Sequence, residues 1–255
     1  PRSLTCGYIH VYTIIYDGSE GGVSLQLQHK TEVEDVPYAL CEFHGQLLAS
    51  CGHSLRLYSL GKKKLLRKCQ NNNFPFFIAS LHTINHRIYV GDLQDSVVYC
   101  KHRAESNDLV IFADEIVPRH ITCGIPLDYD TFFGADKFGN IFASRLPEDA
   151  NEDIVNPTGN RILWDAGRMN GAPNKLENVM NFHVGEVVTS CAKTKLHRTG
   201  DEVVVLGTTM GSISAVMPFR SRNKVDTFQQ LEMCVALFFC LVVPYALKIM
   251  FCTNF

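Results

Sequence analysis

Along this chain, short runs of alternating apolar and polar residues recur in pairs, with glycine or small polar residues between the two members of each pair. Alternation with a period of two predicts half-buried β-strands, and turn residues between two such runs predict a hairpin. The four clearest pairs are 46–50 with 55–58, 87–91 with 97–100, 131–134 with 141–144, and 203–207 with 213–216. Segments 77–81 and 120–123 are predicted to supply further strands. The pattern therefore predicts an all-β chain.

The predicted hairpins are spaced regularly. The residues that end the first strand of each pair are Ser50, Gly91, Gly134 and Gly207, so the intervals are 41, 43 and 73 residues. A period of about 40–45 residues with several strands per repeat is typical of β-propeller blades. We predict a partial β-propeller of about four to five blades over residues 1–227, with a partial blade near the start. A β-sandwich is the alternative, because its strands are also short and closely spaced.

Two segments depart from this pattern. Residues 147–180 are polar and lengthen the last interval, so they are predicted to form an inserted loop. Residues 228–255 form a separate C-terminal segment that is apolar or uncharged from 233 to 247, and we predict a short helical or apolar tail there. A spanning helix needs about 20 apolar residues. Because this run is shorter and contains Pro244, we interpret it as an altered end of the coding sequence, with a short membrane anchor as the alternative.

Charge and cysteine placement narrow the class of protein. The chain has 24 basic and 26 acidic residues, a balance that argues against a free-standing nucleic-acid binder. Its ten cysteines include no Cys-x-x-Cys pair, so we interpret them as small buried hydrophobes in a reducing compartment rather than zinc ligands or disulfides.

The chain opens at Pro1 without a signal-peptide pattern. We expect it to be a piece of a longer protein and to be unstable alone.

Motifs of catalytic or cofactor chemistry do not occur in the sequence. It has no nucleophile elbow, zinc-protease motif or phosphate loop, so we predict neither an enzyme nor a cofactor. Asp128, Asp130 and Asp136 could hold a hard cation through their carboxylates. We favour a structural role in turns, where aspartate is common, and we predict no metal.

One segment is rich in positive charge. The basic run, residues 62–68, contains Lys62, Lys63, Lys64, Arg67 and Lys68. Lysine and arginine side chains bind phosphates, so these five residues are the candidate contact with RNA. The alternative is a solvated hairpin, in which lysines discourage pairing between sheet edges.

Several stretches carry a resemblance to a known family. They are 60–69 (LGKKKLLRKC), 127–131 (LDYDT), 134–141 (GADKFGNI), 145–147 (RLP), 157–160 (PTGN) and 180–186 (MNFHVGE), bracketed by 6–10 (CGYIH) and 228–233 (FQQLEM). Together they resemble the family of subunit 3 of splicing factor 3b. That family also includes the large damaged-DNA-binding subunit and the A subunit of the cleavage and polyadenylation specificity factor.

The resemblance implies three propellers followed by a helical domain, with this chain in the third propeller and residues 228–255 at the start of the C-terminal region. It implies a non-catalytic nuclear scaffold in pre-mRNA splicing, at the particle that recognises the branch site. The implied partners are the HEAT-repeat largest subunit of splicing factor 3b, its small subunits, and nearby small nuclear RNA, but not a membrane. The alternatives are a membrane-tethered propeller, a ubiquitin-ligase adaptor or a polyadenylation factor.

Overall fold

The computed structural model describes residues 6–17, 22–152, 171–195, 202–218 and 221–242, and these ranges contain seventeen strands and one helix. The strands are β1 Gly7–Asp17, β2 Gly22–Val33, β3 Pro37–Phe43, β4 Gln46–Cys51, β5 Ser54–Ser59, β6 Leu66–Asn71, β7 Ile78–Ile84, β8 Arg87–Asp92, β9 Val97–Arg103, β10 Asp108–Glu115, β11 Ile121–Pro126, β12 Thr131–Asp136, β13 Asn140–Arg145, β14 Asn174–His183, β15 Val188–Lys195, β16 Glu202–Thr208 and β17 Ile213–Val216. The helix, α1, is Arg222–Val242.

Neighbouring strands pair antiparallel into sheets that we call blades. Blade A contains β3–β6, blade B β7–β10, blade C β11–β14 and blade D β15–β17, while β1 and β2 form a separate hairpin. The four predicted hairpins are β4–β5, β8–β9, β12–β13 and β16–β17. The two segments predicted as further strands belong to β7 and β11. A short parallel pairing of β10 with β14 also joins the outer edges of blades B and C.

The blades stack in series because successive residues of a strand point to opposite faces. On β8, Ile88 and Val90 pack into the cluster shared with blade A, whereas Tyr89 packs toward blade C. On β12, Phe132 packs toward blade B and Phe133 toward blade D. Each middle blade therefore has apolar residues on both faces. This is the packing of propeller blades rather than of a two-sheet sandwich, and the predicted all-β partial propeller is confirmed.

Turn chemistry holds the strands in register. Between β3 and β4, His44 and Gly45 both adopt positive φ, of 49° and 73°, which is the geometry of a two-residue type I′ hairpin turn. After β12, one carboxylate oxygen of Asp136 accepts from the backbone N–H groups of Phe138 and Asn140 at 2.8 and 3.0 Å. These local bonds stabilise the tight connections on which the blades depend.

Two expected boundaries differ from the structure. Strand β14 begins at Asn174, inside the segment 147–180 that was expected to be a loop. Its polar sequence gains order from pairing with β13 on one side and β10 on the other. Residues 153–170 of that segment lie outside the described residues. Helix α1 begins at Arg222 and so crosses the expected boundary at 227/228. Of the helices described, none is sufficiently long and apolar to cross a membrane.

Candidate nucleic-acid interface

The basic run spans the connection between β5 and β6 of blade A and the first three residues of β6. Leu65 anchors it, since its side chain is buried in a cluster with Ile9, Val33 and Tyr58. The backbone N–H of Leu65 also donates to Thr31 Oγ1 of β2 at 2.9 Å. The turn is therefore fixed against the β1–β2 hairpin, and the charged residues around Leu65 project from a rigid base.

The turn is tight enough to require glycine at its start. A Cβ atom at Gly61 would lie 2.3 Å from the carbonyl oxygen of Lys64, closer than any real side chain approaches. The side chains of Lys62, Lys63, Lys64, Arg67 and Lys68 are all exposed. The sequence LGKKKL therefore folds into a compact loop that presents three consecutive lysines to solvent.

Beside this loop lies an open groove of about 430 Å³, between strand β2 and blade A. Four basic residues, Lys30, Arg56, Lys64 and Arg67, and two acidic residues, Glu32 and Glu34, line it. The lining therefore carries two more positive than negative charges. A groove of this kind can hold an anion by charge and hydrogen bonding.

Arg56 is a fixed structural element of the groove. Its side chain is almost fully buried, and its Nη2 donates to Glu34 Oε2 at 2.7 Å. The hydrogen bond from Arg56, followed by its positive charge, lowers the pKa of Glu34 below its ordinary value. Because Glu34 neutralises Arg56, the lysines and Arg67 are the groups left to meet an external phosphate.

The structure brings together only part of the predicted set. Lys64 and Arg67 line the groove, whereas Lys62, Lys63 and Lys68 do not. The backbone carbonyl of Lys68 accepts from Asn107 Nδ2 of blade B at 2.9 Å, so its strand is tied to the neighbouring blade. Lys30 is a groove residue that sequence reasoning missed. It is far from the basic run in sequence, and only the fold of β2 against blade A brings it there.

The inserted segment is anchored at its base. Arg87 of β8 is buried and pairs with Asp130 at 2.7 Å and with Glu152. Its guanidinium lies 3.7 Å from the ring centroid of Tyr129. A second bond comes from Asn174 Nδ2, which donates to the carbonyl of Asn151 at 2.7 Å. The described ends of the insertion are therefore held firmly on blades B and C.

The three aspartates considered as cation ligands have structural partners. Asp128 Oδ1 accepts from the backbone N–H of Asp130 and of Thr131 at 2.9 and 2.7 Å. Asp130 forms the ion pair with Arg87, and Asp136 caps its turn. Each carboxylate thus serves a blade connection.

A different kind of surface lies on the outer face of the β1–β2 hairpin. Three cross-strand pairs follow one another there: Tyr12 with Leu27, Ile14 with Leu25, and Tyr16 with Val23. These six apolar side chains, which we call the hairpin strip, are between 49% and 76% exposed. The opposite face of the hairpin instead packs Ile9 and Val33 into the cluster beneath the basic run.

With the fold and the surfaces defined, comparison with known proteins decides the family. The family model described as the CPSF A subunit region matches residues 1–236. The chain belongs to this family. It is 52% identical over 233 residues to spliceosome-associated protein 130 A of Arabidopsis thaliana, and 47% identical over 234 residues to splicing factor 3B subunit 3 of Danio rerio.

A fungal member of the family is also similar. The chain is 42% identical over 233 residues to pre-mRNA-splicing factor RSE1 of Mycosarcoma maydis. Each of these matches covers 91% of the chain but 19% of the relative. The chain therefore spans about a fifth of the length of the family members that it matches, and the resemblance read from the sequence is confirmed.

Proposed function

We propose that this chain is a non-catalytic scaffold element of the pre-mRNA splicing machinery and acts in the nucleus as part of splicing factor 3b. The observation that carries the proposal is its 42–52% identity, over 91% of its length, to proteins named for splicing. The blade architecture supports it, because rigid stacked blades present broad surfaces on which other subunits assemble.

The proposed arrangement follows the family. Residues 1–227 belong to the third propeller and residues 228–255 begin the C-terminal region. The partners are the HEAT-repeat largest subunit of splicing factor 3b and its small subunits, with small nuclear RNA at the branch site nearby. The basic run and the inserted segment 147–180 are the proposed contact surfaces, and Lys62, Lys63, Lys64, Arg67 and Lys68 are the proposed phosphate contacts.

Purification of the tagged full chain from nuclear extract tests this function. Mass spectrometry of the retained proteins and sequencing of the retained RNA are expected to recover other splicing factor 3b subunits and branch-site small nuclear RNA. Recovery of the tagged chain with chaperones alone would contradict the proposal.

The RNA contact needs a separate test. In the variant Lys62→Ala/Lys64→Ala, crosslinking to RNA should weaken, and the salt dependence of binding should flatten by about 0.7 per lost phosphate contact for a single strand. The matched control is Lys137→Ala/Lys195→Ala, which removes the same charge from exposed lysines on blades C and D. Equal salt slopes for the two variants would remove the basic run from the interface.

A further inference from the structure

Two cysteines that are far apart in the sequence meet between blades C and D. Cys123 lies on β11 and Cys191 on β15, the first strands of their blades, which run side by side. Both side chains pack against the same apolar cluster, around Phe133, Val188 and Leu206. Both cysteines are free thiols and partly exposed.

The backbone around the pair fixes their approach. Thr122 Oγ1 donates to the carbonyl of Val188 at 2.6 Å, and Cys123 Sγ lies 3.8 Å from the same carbonyl oxygen. The start of β15 is thereby held against β11. Cys191 lies three residues after Val188 on β15, and the Cys123 and Cys191 thiols are near enough that each shifts the pKa of the other.

We propose that Cys123 and Cys191 form a reversible redox site, at which a peroxide oxidises the two thiols to a disulfide that links blade C to blade D. In the first step the Cys123 sulfur gives up its proton and attacks hydrogen peroxide, so a sulfur–oxygen bond forms, the O–O bond breaks, and the departing hydroxide takes a proton and leaves as water. In the second step the Cys191 sulfur bonds to the Cys123 sulfur, the sulfur–oxygen bond breaks, and the departing hydroxide takes the Cys191 proton and leaves as a second water. Two electrons pass from the thiols to the peroxide, and a dithiol reductant reverses the reaction.

The environment distinguishes this pair from the other cysteines. The neighbouring Cys191 thiol lowers the pKa of the Cys123 thiol, which favours the nucleophilic thiolate, while Cys123 in turn raises the pKa of Cys191. Burial instead raises the pKa of Cys69 to about 11 and also raises that of Cys100. Reaction should therefore begin at Cys123, and Cys191 should resolve it.

The proposed disulfide would attach blade D, which lies at the end of the described stack, to blade C. Within the described residues blade D has three strands rather than four, and Met210 in its last turn and Ile213 at the start of β17 are 78% and 81% exposed. A covalent bond from β15 to β11 would restrain this blade, and a disulfide that closes a long loop should raise the midpoint of thermal unfolding by about 5–10 °C.

Peptide mapping of the purified full chain tests the proposal. After treatment with hydrogen peroxide, free thiols are alkylated with iodoacetamide and the chain is cleaved with trypsin without reduction. Peptides 120–137 and 176–193 each contain one cysteine, Cys123 and Cys191 respectively. They should appear as one disulfide-linked species that dithiothreitol separates. Alkylation of both cysteines after peroxide treatment, or a random mixture of linkages, would overturn the proposal.

The thermal shift supplies a second readout with matched variants. Cys191→Ser should lose both the linked species and the peroxide-dependent rise in unfolding temperature. The control Cys41→Ser, a partly exposed cysteine of blade A, should keep both. If Cys191→Ser fails to fold, the reversible link in the unmodified chain decides the question, because that measurement needs no variant.

Discussion

Two apolar surfaces built from β-strands, the interface between blades B and C and the outer face of the β1–β2 hairpin, differ sharply in burial. At the interface, Tyr89, Tyr99, Phe112, Phe132 and Phe142 are fully buried. Tyr89 and Tyr99 meet edge to face with ring centroids 4.9 Å apart. On the hairpin strip, Tyr16 is 76% exposed. Alternation therefore specifies a strand with an apolar face, but a neighbouring blade is needed to bury that face.

The largest loss of stability is expected when a side chain of the core is truncated. Phe132→Ala removes a fully buried ring from between two blades, and the cavity should lower the free energy of unfolding by about 3–5 kcal/mol. Urea denaturation followed by circular dichroism measures this. A loss below about 1 kcal/mol would show that the two blades are not tightly packed in solution.

The next largest loss of stability is expected when a buried ion pair is removed. Arg87→Ala leaves Asp130 and Glu152 without their buried cation, so it should lower the free energy of unfolding by about 2 kcal/mol. The loss is reduced because Asp130 is half exposed and can be solvated. Arg67→Ala, at an exposed arginine that bonds Gln70 at 2.8 Å, is the control. Equal urea midpoints for the two variants would contradict the anchoring role of Arg87.

The free energy of unfolding should also depend on pH, through Asp95 in the turn between β8 and β9 of blade B. Burial, followed by the charges of Asp92 and Asp114, raises the pKa of Asp95 to about 7, whereas an unfolded aspartate titrates near 3.9. The folded state therefore binds more protons between these values, and stability falls as the pH rises from about 4 to 7. Asp95→Asn should remove about 1 kcal/mol of this loss, a figure reduced because Asp95 is partly exposed.

Urea midpoints at pH 4.5 and pH 8 measure that effect. Glu105→Gln, which neutralises an exposed carboxylate outside this cluster, should leave the pH dependence of the natural chain unchanged. If Asp95→Asn and the natural chain lose stability in parallel as the pH rises, Asp95 is not the titrating group.

The smallest effect is expected on the hairpin strip. Leu25 is 67% exposed, so Leu25→Ala should change the free energy of unfolding by less than about 0.5 kcal/mol. This variant, measured beside Phe132→Ala, sharpens the contrast between a face that a blade covers and one that none of the described residues covers. A loss above about 2 kcal/mol would mean that the strip is packed in solution.

The sequence predicted the fold well, because local signals specify hairpins. Alternation and turn residues located all four predicted pairs, and their spacing identified blades. The start of strand β14 at Asn174 was not predicted, because its polar residues form a strand through pairing with β13 and β10. That pairing is a tertiary effect, and it has no local signature.

Less of the candidate site could be predicted from the sequence. The basic run is visible because its charges are contiguous, and the structure places Lys64 and Arg67 in the groove. Lys30 and the pairing of Cys123 with Cys191 depend on how separate strands pack, so spacing along the chain does not reveal them. The interpretation of all cysteines as buried hydrophobes was too broad, since Cys51 and Cys100 are buried whereas Cys123 and Cys191 are partly exposed.

Hydrogen exchange by mass spectrometry tests most directly the claim that each blade is held by its neighbours. Amides of β8 and β12, in the two blades with neighbours on both faces, should exchange most slowly, and those of β2 and β17 should exchange first. Protection that is uniform along the chain, or as strong in β2 as in β12, would contradict serial blade packing as the source of stability.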